Sequence, residues 1–283
     1  MTTSEAFFAI KKELTDLYGE REAANIAHLY LEHVTGLGKL DRLTNKDLSF
    51  GETKTQALKE AISVLKMGKP IQQVIGIAWF YGRAFTINEH VLIPRPETEE
   101  LVQMVLNASK QLPNPSFLDI GTGSGCIPIT LKLEMNECSV TSCDISENAL
   151  ELAGKNAVQL GATISFLACD FLNELCWQSL GQFDVIVSNP PYIPLKDKAK
   201  MHKNVVEFEP HLALFVPNDD ALVFYSAIAE FAGYHLNLGG YVFCELDPDN
   251  AEGCKELFEK KGLKEVHLHT DMQGLTRFIS ARK

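Results

Sequence analysis

The sequence predicts an α/β protein whose main domain is a Rossmann-like, doubly wound sheet, preceded by a small N-terminal helical-bundle domain. From about residue 97, short apolar strands alternate with helices, which is the pattern of a mostly parallel sheet covered on both faces. Before about residue 70, apolar residues recur with helical spacing only. A glycine-rich turn follows the first strand of the alternating region, where open α/β sheets bind their ligands.

The composition fits this division and argues against a nucleic-acid substrate. A chain of 283 residues suits one large domain with a smaller one. The chain has 26 basic and 37 acidic residues, a net charge of −11, and no basic stripe. Domains that bind DNA or RNA through the phosphates usually have a basic excess.

The cysteines and the N-terminus indicate a cytoplasmic protein. The seven cysteines are odd in number, include no CxxC pair, and lie partly in apolar runs, so we expect a reducing compartment without disulfides or a zinc site. No basic region precedes a long apolar core at the N-terminus, and no stretch approaches the roughly 18 apolar residues of a membrane span. The cysteines are Cys126, Cys138, Cys143, Cys169, Cys176, Cys244 and Cys254.

Three helices are expected in residues 1–70, which form the predicted bundle. Ser4 is a candidate N-cap for the first helix, whose apolar residues lie between 7 and 17 with a period near 3.6. A second apolar stripe occupies residues 23–34, and a third occupies residues 57–65.

A β-hairpin linker is expected in residues 71–96. Residues 73–87 are rich in β-branched and aromatic side chains and are interrupted by Gly76 and Gly82. The aromatic run at residues 79–81 is expected to pack in the core or at a domain interface.

The catalytic domain is expected in residues 97–283. Its predicted helices are residues 97–111, 126–135, 146–160, 220–236 and 249–261. Its predicted strands are residues 117–120, 139–143, 164–168, 183–187, 240–246, 264–269 and 275–281.

The glycine-rich turn is a candidate cofactor site. Glycines let the chain turn sharply and let a ligand approach the backbone. The turn lacks the lysine of a phosphate-binding P-loop, and its GxGxG spacing differs from the dinucleotide pattern GxGxxG. It therefore suits a ligand without phosphates, such as S-adenosyl-L-methionine, and a plain glycine-rich connection is the alternative. The candidate residues are Gly121, Thr122, Gly123, Ser124 and Gly125.

Two further strand ends carry groups that suit such a cofactor. Asp144 follows the second strand of the sheet, where an acid can accept hydrogen bonds from both ribose hydroxyls. It could instead cap the next helix, although Ser146 can serve as that cap. Asp170 and Phe171 follow the third strand, where they could bind the adenine amino group and stack on its ring.

The fourth strand of this region ends in Ser188-Asn189-Pro190-Pro191-Tyr192. Two prolines stiffen the turn, so the Pro190 carbonyl is held in one direction beside the Asn189 side-chain oxygen. Two such acceptors suit the two hydrogens of an NH2 group, and Tyr192 can lie against its flat face. A rigid loop that only connects two elements is the alternative.

This arrangement suits the methylation of a planar NH2 nitrogen, whose lone pair is delocalised. Two fixed acceptors would orient the nitrogen and direct its lone pair at the methyl carbon, and positioning of this kind can lower a barrier by roughly 7–11 kcal/mol. A sulfonium is already a good leaving group, and the methylated nitrogen loses its proton without a dedicated base. No metal, carboxylate pair or Ser-His-Asp triad is required.

The two motifs together resemble the (N/D)PPY amino-methyltransferases, which act on adenine N6, cytosine N4 or glutamine N5. Residues 91–99, Val-Leu-Ile-Pro-Arg-Pro-Glu-Thr-Glu, narrow the resemblance to the release-factor glutamine N5-methyltransferases of the HemK/PrmC type. Residues 70–76, 209–214 and 271–277 also resemble this family, so the resemblance covers nearly the whole chain.

The resemblance implies a class I methyltransferase fold whose last strand is antiparallel. It implies that the glycine-rich turn, Asp144 and Phe171 contact S-adenosyl-L-methionine, and that Asn189 lies near both the cofactor and the substrate. The substrate would be the glutamine of the Gly-Gly-Gln loop in class I peptide-chain release factors, and the N-terminal bundle would help to dock that partner. We expect no direct contact with nucleic acid or membrane, and a monomer. The implied catalytic residues are Asn189, Pro190 and Tyr192, and Pro191 completes the substrate-binding turn.

Two segments depart from the family pattern. Residues 245–250, Glu-Leu-Asp-Pro-Asp-Asn, stand where the family often has Glu-x-Gly-x-x-Gln, and residues 215–220 stand where it often has a glycine-rich stretch. Both lie outside the two motifs, so the expected reaction is unchanged.

Four charged residues have open roles. Arg95 and Glu97 either position a polar end of cofactor or substrate or form a structural ion pair. Glu207 and Glu209 either line the peptide cleft or face the solvent, and we favour the solvent.

His267 and His269 alternate on a predicted strand and share a face. No third ligand has suitable spacing, so an edge-strand surface is favoured over a metal pair.

Two rival hypotheses remain beside glutamine methylation. The first is amino-methylation of DNA or RNA bases, which the charge and residues 91–99 disfavour. The second is a catalytically silent adapter that binds translation factors, which the intact glycine-rich turn and Asn189 disfavour.

Overall fold

The computed structural model describes residues 1–283, which form ten α-helices and eleven strands. The helices are α1 (Thr3–Thr35), α2 (Lys39–Thr44), α3 (Glu52–Lys66), α4 (Ile71–Ile75), α5 (Pro96–Ser109), α6 (Cys126–Glu134), α7 (Glu147–Leu160), α8 (Lys203–Phe208), α9 (Val223–His235) and α10 (Ala251–Lys260). The strands are β1 (Ile77–Phe80), β2 (Arg83–Thr86), β3 (Ser116–Ile120), β4 (Ser139–Asp144), β5 (Ser165–Ala168), β6 (Phe183–Ser188), β7 (Ile193–Pro194), β8 (Phe215–Val216), β9 (Leu236–Glu245), β10 (Lys264–Thr270) and β11 (Thr276–Arg282). No helix is long and apolar enough to cross a membrane.

The chain divides into two compact units. The first contains residues 1–77 and 202–208, and the second contains residues 78–201 and 209–283. The first unit is helical, and apolar side chains of α1, α3 and α4 form its core. The fully buried members of that core include Ala6, Ile10, Leu14, Ala23 and Ala27.

The first helix begins and breaks at residues that differ in part from the prediction. Thr2, not Ser4, is the N-cap of α1, because Thr2 and Glu5 form a reciprocal capping box. The first two predicted helices are the two halves of α1, which breaks at Gly19, where φ is 77°. Gly36 ends α1 in the left-handed conformation, as is typical of helix C-termini.

A short helix precedes the hairpin that the sequence predicted from residue 73. Residues 71–75 form α4, which Gly76 ends with a φ of 73°, so the predicted start of the strand was wrong. The hairpin of β1 and β2 turns at Tyr81 and Gly82, both with positive φ, as a type I′ turn requires. Trp79 is 65% exposed, so the expected burial of the whole aromatic run holds for Phe80 and not for Trp79.

The main sheet of the second unit has seven strands in the order β10-β11-β9-β6-β3-β4-β5. Strands β9, β6, β3, β4 and β5 are parallel to one another, and β11 runs antiparallel to both β9 and β10. The predicted α/β class and the antiparallel last strand are therefore confirmed. Apolar clusters lie on the two faces of this sheet, as expected for a doubly wound fold.

The strand predicted at residues 240–246 begins earlier, at Leu236. A register shift in its pairing with β6 lies between Leu236 and Tyr241, which indicates a bulge. A Cβ on Gly240 would lie 2.7 Å from the Asp184 carbonyl oxygen, so only glycine allows this close approach. Strands β7 and β8 were not predicted, because they pair over two residues each and are too short to show a period.

Candidate active site

The carboxyl ends of the parallel strands surround a cavity of about 390 Å³ in the second unit. Its volume lies in the range typical of small-molecule sites. All the predicted site residues line the cavity except Gly125 and Tyr192. Those that line it are Gly121, Thr122, Gly123, Ser124, Asp144, Asp170, Phe171, Asn189, Pro190 and Pro191.

The glycine-rich turn is held by backbone hydrogen bonds at the end of β3. The N–H groups of Gly121 and Thr122 donate to the Cys143 carbonyl oxygen over 2.9 and 3.2 Å. Gly125 begins α6 with a φ of 81°, and a Cβ there would lie 2.8 Å from Ile129 Cδ1. The third glycine therefore permits close packing of the helix, and it does not itself face the cavity.

A buried carboxyl group lies under this turn and outside the cavity. Asp119 Oδ2 accepts hydrogen bonds from the hydroxyls of Ser142 (2.6 Å) and Thr122 (3.1 Å), while Oδ1 has no partner. Complete burial raises the pKa of Asp119 to about 7, against the lowering effect of the two hydroxyls. Asp119 thus fixes the hydroxyl of Thr122 and the end of β4 rather than a ligand.

Asp144 lies at the end of β4 and lines the cavity. Its Oδ2 accepts from the Gly123 N–H and its Oδ1 from the Ser146 N–H, both over 2.9 Å. Ser146 caps α7 by accepting from the Ala149 N–H, so the expected division of roles between Asp144 and Ser146 is seen. Burial raises the pKa of Asp144, and the backbone N–H groups oppose that rise. Each carboxylate oxygen retains a further lone pair.

Asp170 and Phe171 occupy different environments at the end of β5. Asp170 is exposed and its Oδ1 accepts from the Leu172 N–H over 3.1 Å. Phe171 is only 4% exposed, and its ring contacts those of Trp177 and Phe231 at centroid distances of 5.7 and 5.3 Å. Most of the Phe171 ring therefore belongs to the core, and only part of it contributes to the cavity wall.

Two exposed apolar side chains line the cavity beside these acids and were not singled out from the sequence. Ile145 is 49% exposed and Leu172 is 42% exposed, although both are large and apolar. Ile145 comes one residue after Asp144, and Leu172 comes two residues after Asp170. This position beside an acid at a strand end was the available signal in the sequence. Their exposure in a cavity wall suits an apolar or aromatic ligand surface.

Asn156 was also missed, and it connects the turn to the hairpin. It is fully buried on α7, and its Nδ2 donates to the carbonyl oxygens of Ser124 and Thr86, each over 2.9 Å. Its Oδ1 accepts from the Thr86 N–H over 2.9 Å. A buried asparagine in an otherwise amphipathic helix was the available signal.

The Asn189 amide has a defined direction. Its Nδ2 donates to Thr98 Oγ1 over 3.1 Å, while no protein group donates to its Oδ1. Ser188 Oγ donates to the Ile120 carbonyl oxygen over 2.7 Å, which fastens the start of the turn to β3. The Asn189 oxygen is therefore an unused acceptor in a residue that lines the cavity.

Tyr192 lies behind the cavity wall, partly buried against the core of the sheet. Its hydroxyl donates to Glu245 Oε1 over 3.4 Å. The same carboxylate accepts from Thr98 through Oε2 over 2.7 Å. Burial raises the pKa of Glu245 to about 7, while Thr98 and the charge of Arg277 lower it.

The structure defines the surroundings of three of the four charged residues whose roles were open. Arg95 forms an ion pair of 2.5 Å with Glu209, not with Glu97. Glu209 is 4% exposed and its Oε2 also accepts from the Ile93 N–H over 3.0 Å. The expectation that Glu209 faces solvent was therefore wrong, because a buried carboxylate needs these partners. Glu207 is exposed in α8.

The two histidines on β10 do not form part of a metal cluster. His269 hydrogen bonds to Ser280 Oγ over 2.7 Å, and His267 is exposed. No group of three or more His, Cys, Asp or Glu side chains is arranged to hold a metal ion, and all seven cysteines are free.

The fold and the site define an α/β methyltransferase. Residues 98–208 match the family described as Methyltransferase small domain, and residues 5–76 match the PrmC N-terminal domain. The hMettl16 catalytic domain, solved with the MAT2A 3′UTR hairpin 6, has a TM-score of 0.56 at 16% identity over 83% of each chain, a likeness of fold alone.

Two relatives identify the family. The release factor glutamine methyltransferase of Flavobacterium psychrophilum is 39% identical over 270 residues, 94% of each chain. That of Bacteroides thetaiotaomicron is 37% identical over 275 residues, which are 97% of this chain and 98% of the relative. The chain therefore belongs to the release factor glutamine methyltransferase family.

Proposed function

We propose that this protein transfers a methyl group from S-adenosyl-L-methionine to the N5 side-chain nitrogen of the glutamine in the Gly-Gly-Gln motif of class I peptide-chain release factors. The observation that carries the proposal is the Asn189 amide, whose nitrogen is bound by Thr98 and whose oxygen is left as an acceptor on a cavity residue. Pro190 and Pro191 follow it in the same wall. Family membership supports the choice of substrate.

The cavity suits the proposed cofactor. Gly121 and Gly123 leave open space where a side chain would begin, so a ligand can approach the backbone. Asp144 would accept from the ribose hydroxyls with its remaining lone pairs, and Ile145 and Leu172 would cover the faces of the adenine. Bound there, S-adenosyl-L-methionine would supply an electrophilic methyl group on a sulfonium.

The turn at residues 189–192 would bind the target amide. The Asn189 Oδ1 and the Pro190 carbonyl would accept one hydrogen each from the glutamine NH2, which draws the lone pair out of conjugation and fixes its direction. Tyr192, whose side chain lies behind the cavity wall, would support the turn through its hydrogen bond to Glu245. After transfer the positively charged nitrogen would release its proton to water, so the mechanism asks for no protein base.

A release factor needs a binding surface that extends beyond the cavity, and we propose that the helical first unit helps to provide this surface. Its match to the PrmC N-terminal domain supports this role. Large apolar side chains that are exposed there include Phe8, Leu40 and Leu43. Replacing Leu40 by Glu is expected to raise the KM for the release factor with kcat unchanged. We propose a monomer that acts in the cytoplasm, where translation takes place.

The test is methyl incorporation from labelled cofactor. Purified class I release factor is expected to take up label, and a version with Ala in place of the motif glutamine is expected to take up none. DNA and RNA are included as competing substrates, because fold likeness extends to a nucleic-acid-bound methyltransferase domain. Label in nucleic acid alone would reverse the substrate assignment. Calorimetry without any cofactor binding would instead favour a silent adapter.

A further inference from the structure

We infer that Thr98 and Glu245 are positioning residues, which set the direction of the Asn189 amide and hold Tyr192 so that the turn presents its acceptor oxygen to the substrate. The inference rests on the proposed function and adds two residues that do not touch the reacting atoms. Thr98 lies in the first turn of α5, and Glu245 is the last residue of β9. One buried carboxylate thereby reaches two of the four residues of the turn.

The geometry forms a continuous chain of hydrogen bonds. Asn189 Nδ2 donates to Thr98 Oγ1 (3.1 Å), and Thr98 Oγ1 donates to Glu245 Oε2 (2.7 Å). The Tyr192 hydroxyl donates to Glu245 Oε1 (3.4 Å). Each oxygen of the carboxylate thus accepts from one hydroxyl. Thr98 and Glu245 are 3% exposed, so water does not compete for these bonds.

The order of donors in this chain decides which way the Asn189 amide faces. A threonine hydroxyl has one hydrogen, and an ionised carboxylate can only accept hydrogen bonds. Thr98 must therefore donate its hydrogen to Glu245. The remaining Thr98 lone pairs can then only accept, which selects the NH2 group of Asn189. The flipped amide would set two acceptors against each other. Oδ1 of Asn189 is therefore kept on the side away from Thr98.

A purely structural role explains the buried carboxylate less well. Removing a charge from water is costly, and an apolar pair of similar volume serves stability as well or better. Glu245 is faced by Arg277 on β11, Glu97 on α5, and Tyr192, so one further acid opposes its charge and one arginine supports it. Arg277 is itself shared with Asp271, over 3.6 Å. The free-energy cost of burying the Glu245 carboxylate is explained if this carboxylate is needed as the acceptor that holds the Asn-Pro-Pro-Tyr turn.

The first test compares substitutions of Thr98 in the full-length enzyme. Thr98→Val keeps the shape and removes the hydroxyl, and we expect kcat to fall about 10- to 100-fold, the range for losing a hydrogen bond to a charged group. The KM for release factor and the Kd for cofactor are expected to change less than about 3-fold. Thr98→Ser restores the hydroxyl and is expected to recover kcat to within about 3-fold of the wild type.

Thr130→Val is the matched control. Thr130 is a fully buried threonine of α6 whose hydroxyl has no partner, so its replacement tests burial alone. Its kcat is expected to equal that of the wild type. If Thr98→Val and Thr130→Val have the same kcat while the wild type methylates release factor, the inference is overturned. If the wild type itself is inactive on release factor, the proposed function fails instead.

The second test uses the pH profile and does not depend on the folding of Thr98→Val. In the wild type, kcat is expected to fall below about pH 7, because protonation of Glu245 makes it a donor and disturbs the order of the chain. In Glu245→Gln, the amide oxygen can still accept from Thr98, so we expect measurable activity without that acid limb. An unchanged acid limb in Glu245→Gln would contradict the inference.

Discussion

The two loops of the site are built over similar groups in different ways. Under the glycine-rich turn lies Asp119, and under the Asn-Pro-Pro-Tyr turn lies Glu245, and burial raises the pKa of each to about 7. Both carboxyl groups accept from two hydroxyls. Asp119 keeps one oxygen without a partner and has no cation beside it, whereas Glu245 has both oxygens engaged and faces Arg277.

The difference teaches how each loop obtains its shape. The glycine-rich turn takes its shape from positive φ angles and backbone hydrogen bonds, so its carboxyl group supports it from a distance. The Asn-Pro-Pro-Tyr turn has a stiff backbone, and the role that we propose for it depends on side-chain direction, which proline cannot set. Its carboxyl group is therefore connected by hydrogen bonds to the side chains of the turn. Damage to the first loop should weaken binding or folding, and damage to the second should lower turnover.

The largest effect is expected from Asn189→Ala. Loss of the acceptor should lower kcat by roughly two to three orders of magnitude, as for the loss of one positioned group in an active site. The Kd for cofactor should change only a few-fold, because the glycine-rich turn is intact. Single-turnover kinetics and calorimetry measure the two quantities, with Asn107→Ala on the exposed face of α5 as control. A loss of cofactor affinity as large as the loss of kcat would contradict the difference that we propose between the two loops.

Gly125→Ala changes the glycine-rich turn, so we expect it to lower stability and cofactor affinity rather than turnover. A left-handed φ of 81° costs an alanine about 1–2 kcal/mol, and the added Cβ would also meet Ile129 at 2.8 Å. We expect a loss of about 2–4 kcal/mol in unfolding free energy and a cofactor Kd at least tenfold higher. Gly161→Ala has a similar φ of 76° with open space, so it should lose only about 1 kcal/mol. Equal losses in both variants would show that packing at Gly125 is unimportant.

Asp119→Asn should reduce the pH dependence of stability, to which Glu245 also contributes. The folded pKa near 7 lies above the ordinary value of 3.8, so between these pH values the folded state holds a proton that the unfolded state has released. Stability contributed by this group therefore falls as the pH rises from about 4 to 7, by a few kcal/mol at about 1.4 kcal/mol per tenfold change in proton affinity. Urea titrations across this range measure the slope. Asp16→Asn, on the surface, should leave the slope unchanged.

Ile145→Ala should have the smallest effect. Half of this side chain is exposed in the cavity wall, and covering it by adenine would remove apolar area worth about 1 kcal/mol. The Kd for cofactor should rise about 3- to 10-fold with kcat little changed. Val158→Ala removes an apolar side chain that is exposed outside the cavity and should have no effect. An unchanged Kd in Ile145→Ala would remove this residue from the cofactor surface.

The part of the cavity that we assign to the cofactor could be predicted from the sequence, because its residues are close together in the chain and follow regular strands. Alternating strands and helices placed the glycine-rich turn, Asp144 and Asp170 at successive strand ends, and β3, β4 and β5 are neighbours in the sheet. The burial of Phe171 was not predictable, because it depends on Trp177 and Phe231 from later elements. Thr98 lay in a quoted motif without a role, since its partner Glu245 is 147 residues away. Contacts between residues so far apart along the chain produce no periodic pattern in the sequence.

That separation also sets the order in which the two halves can form as the chain is synthesised. Apart from Asn189, the groups that we assign to the cofactor lie in residues 119–172, so that half needs only the first three strands of the main sheet. The other half cannot form before Glu245 and Arg277 have been added to the chain, and Arg277 lies six residues before Lys283. A nascent chain that has not yet folded β9 and β11 would lack the groups that hold the Asn189 side chain, so we expect it to bind cofactor before it can transfer a methyl group.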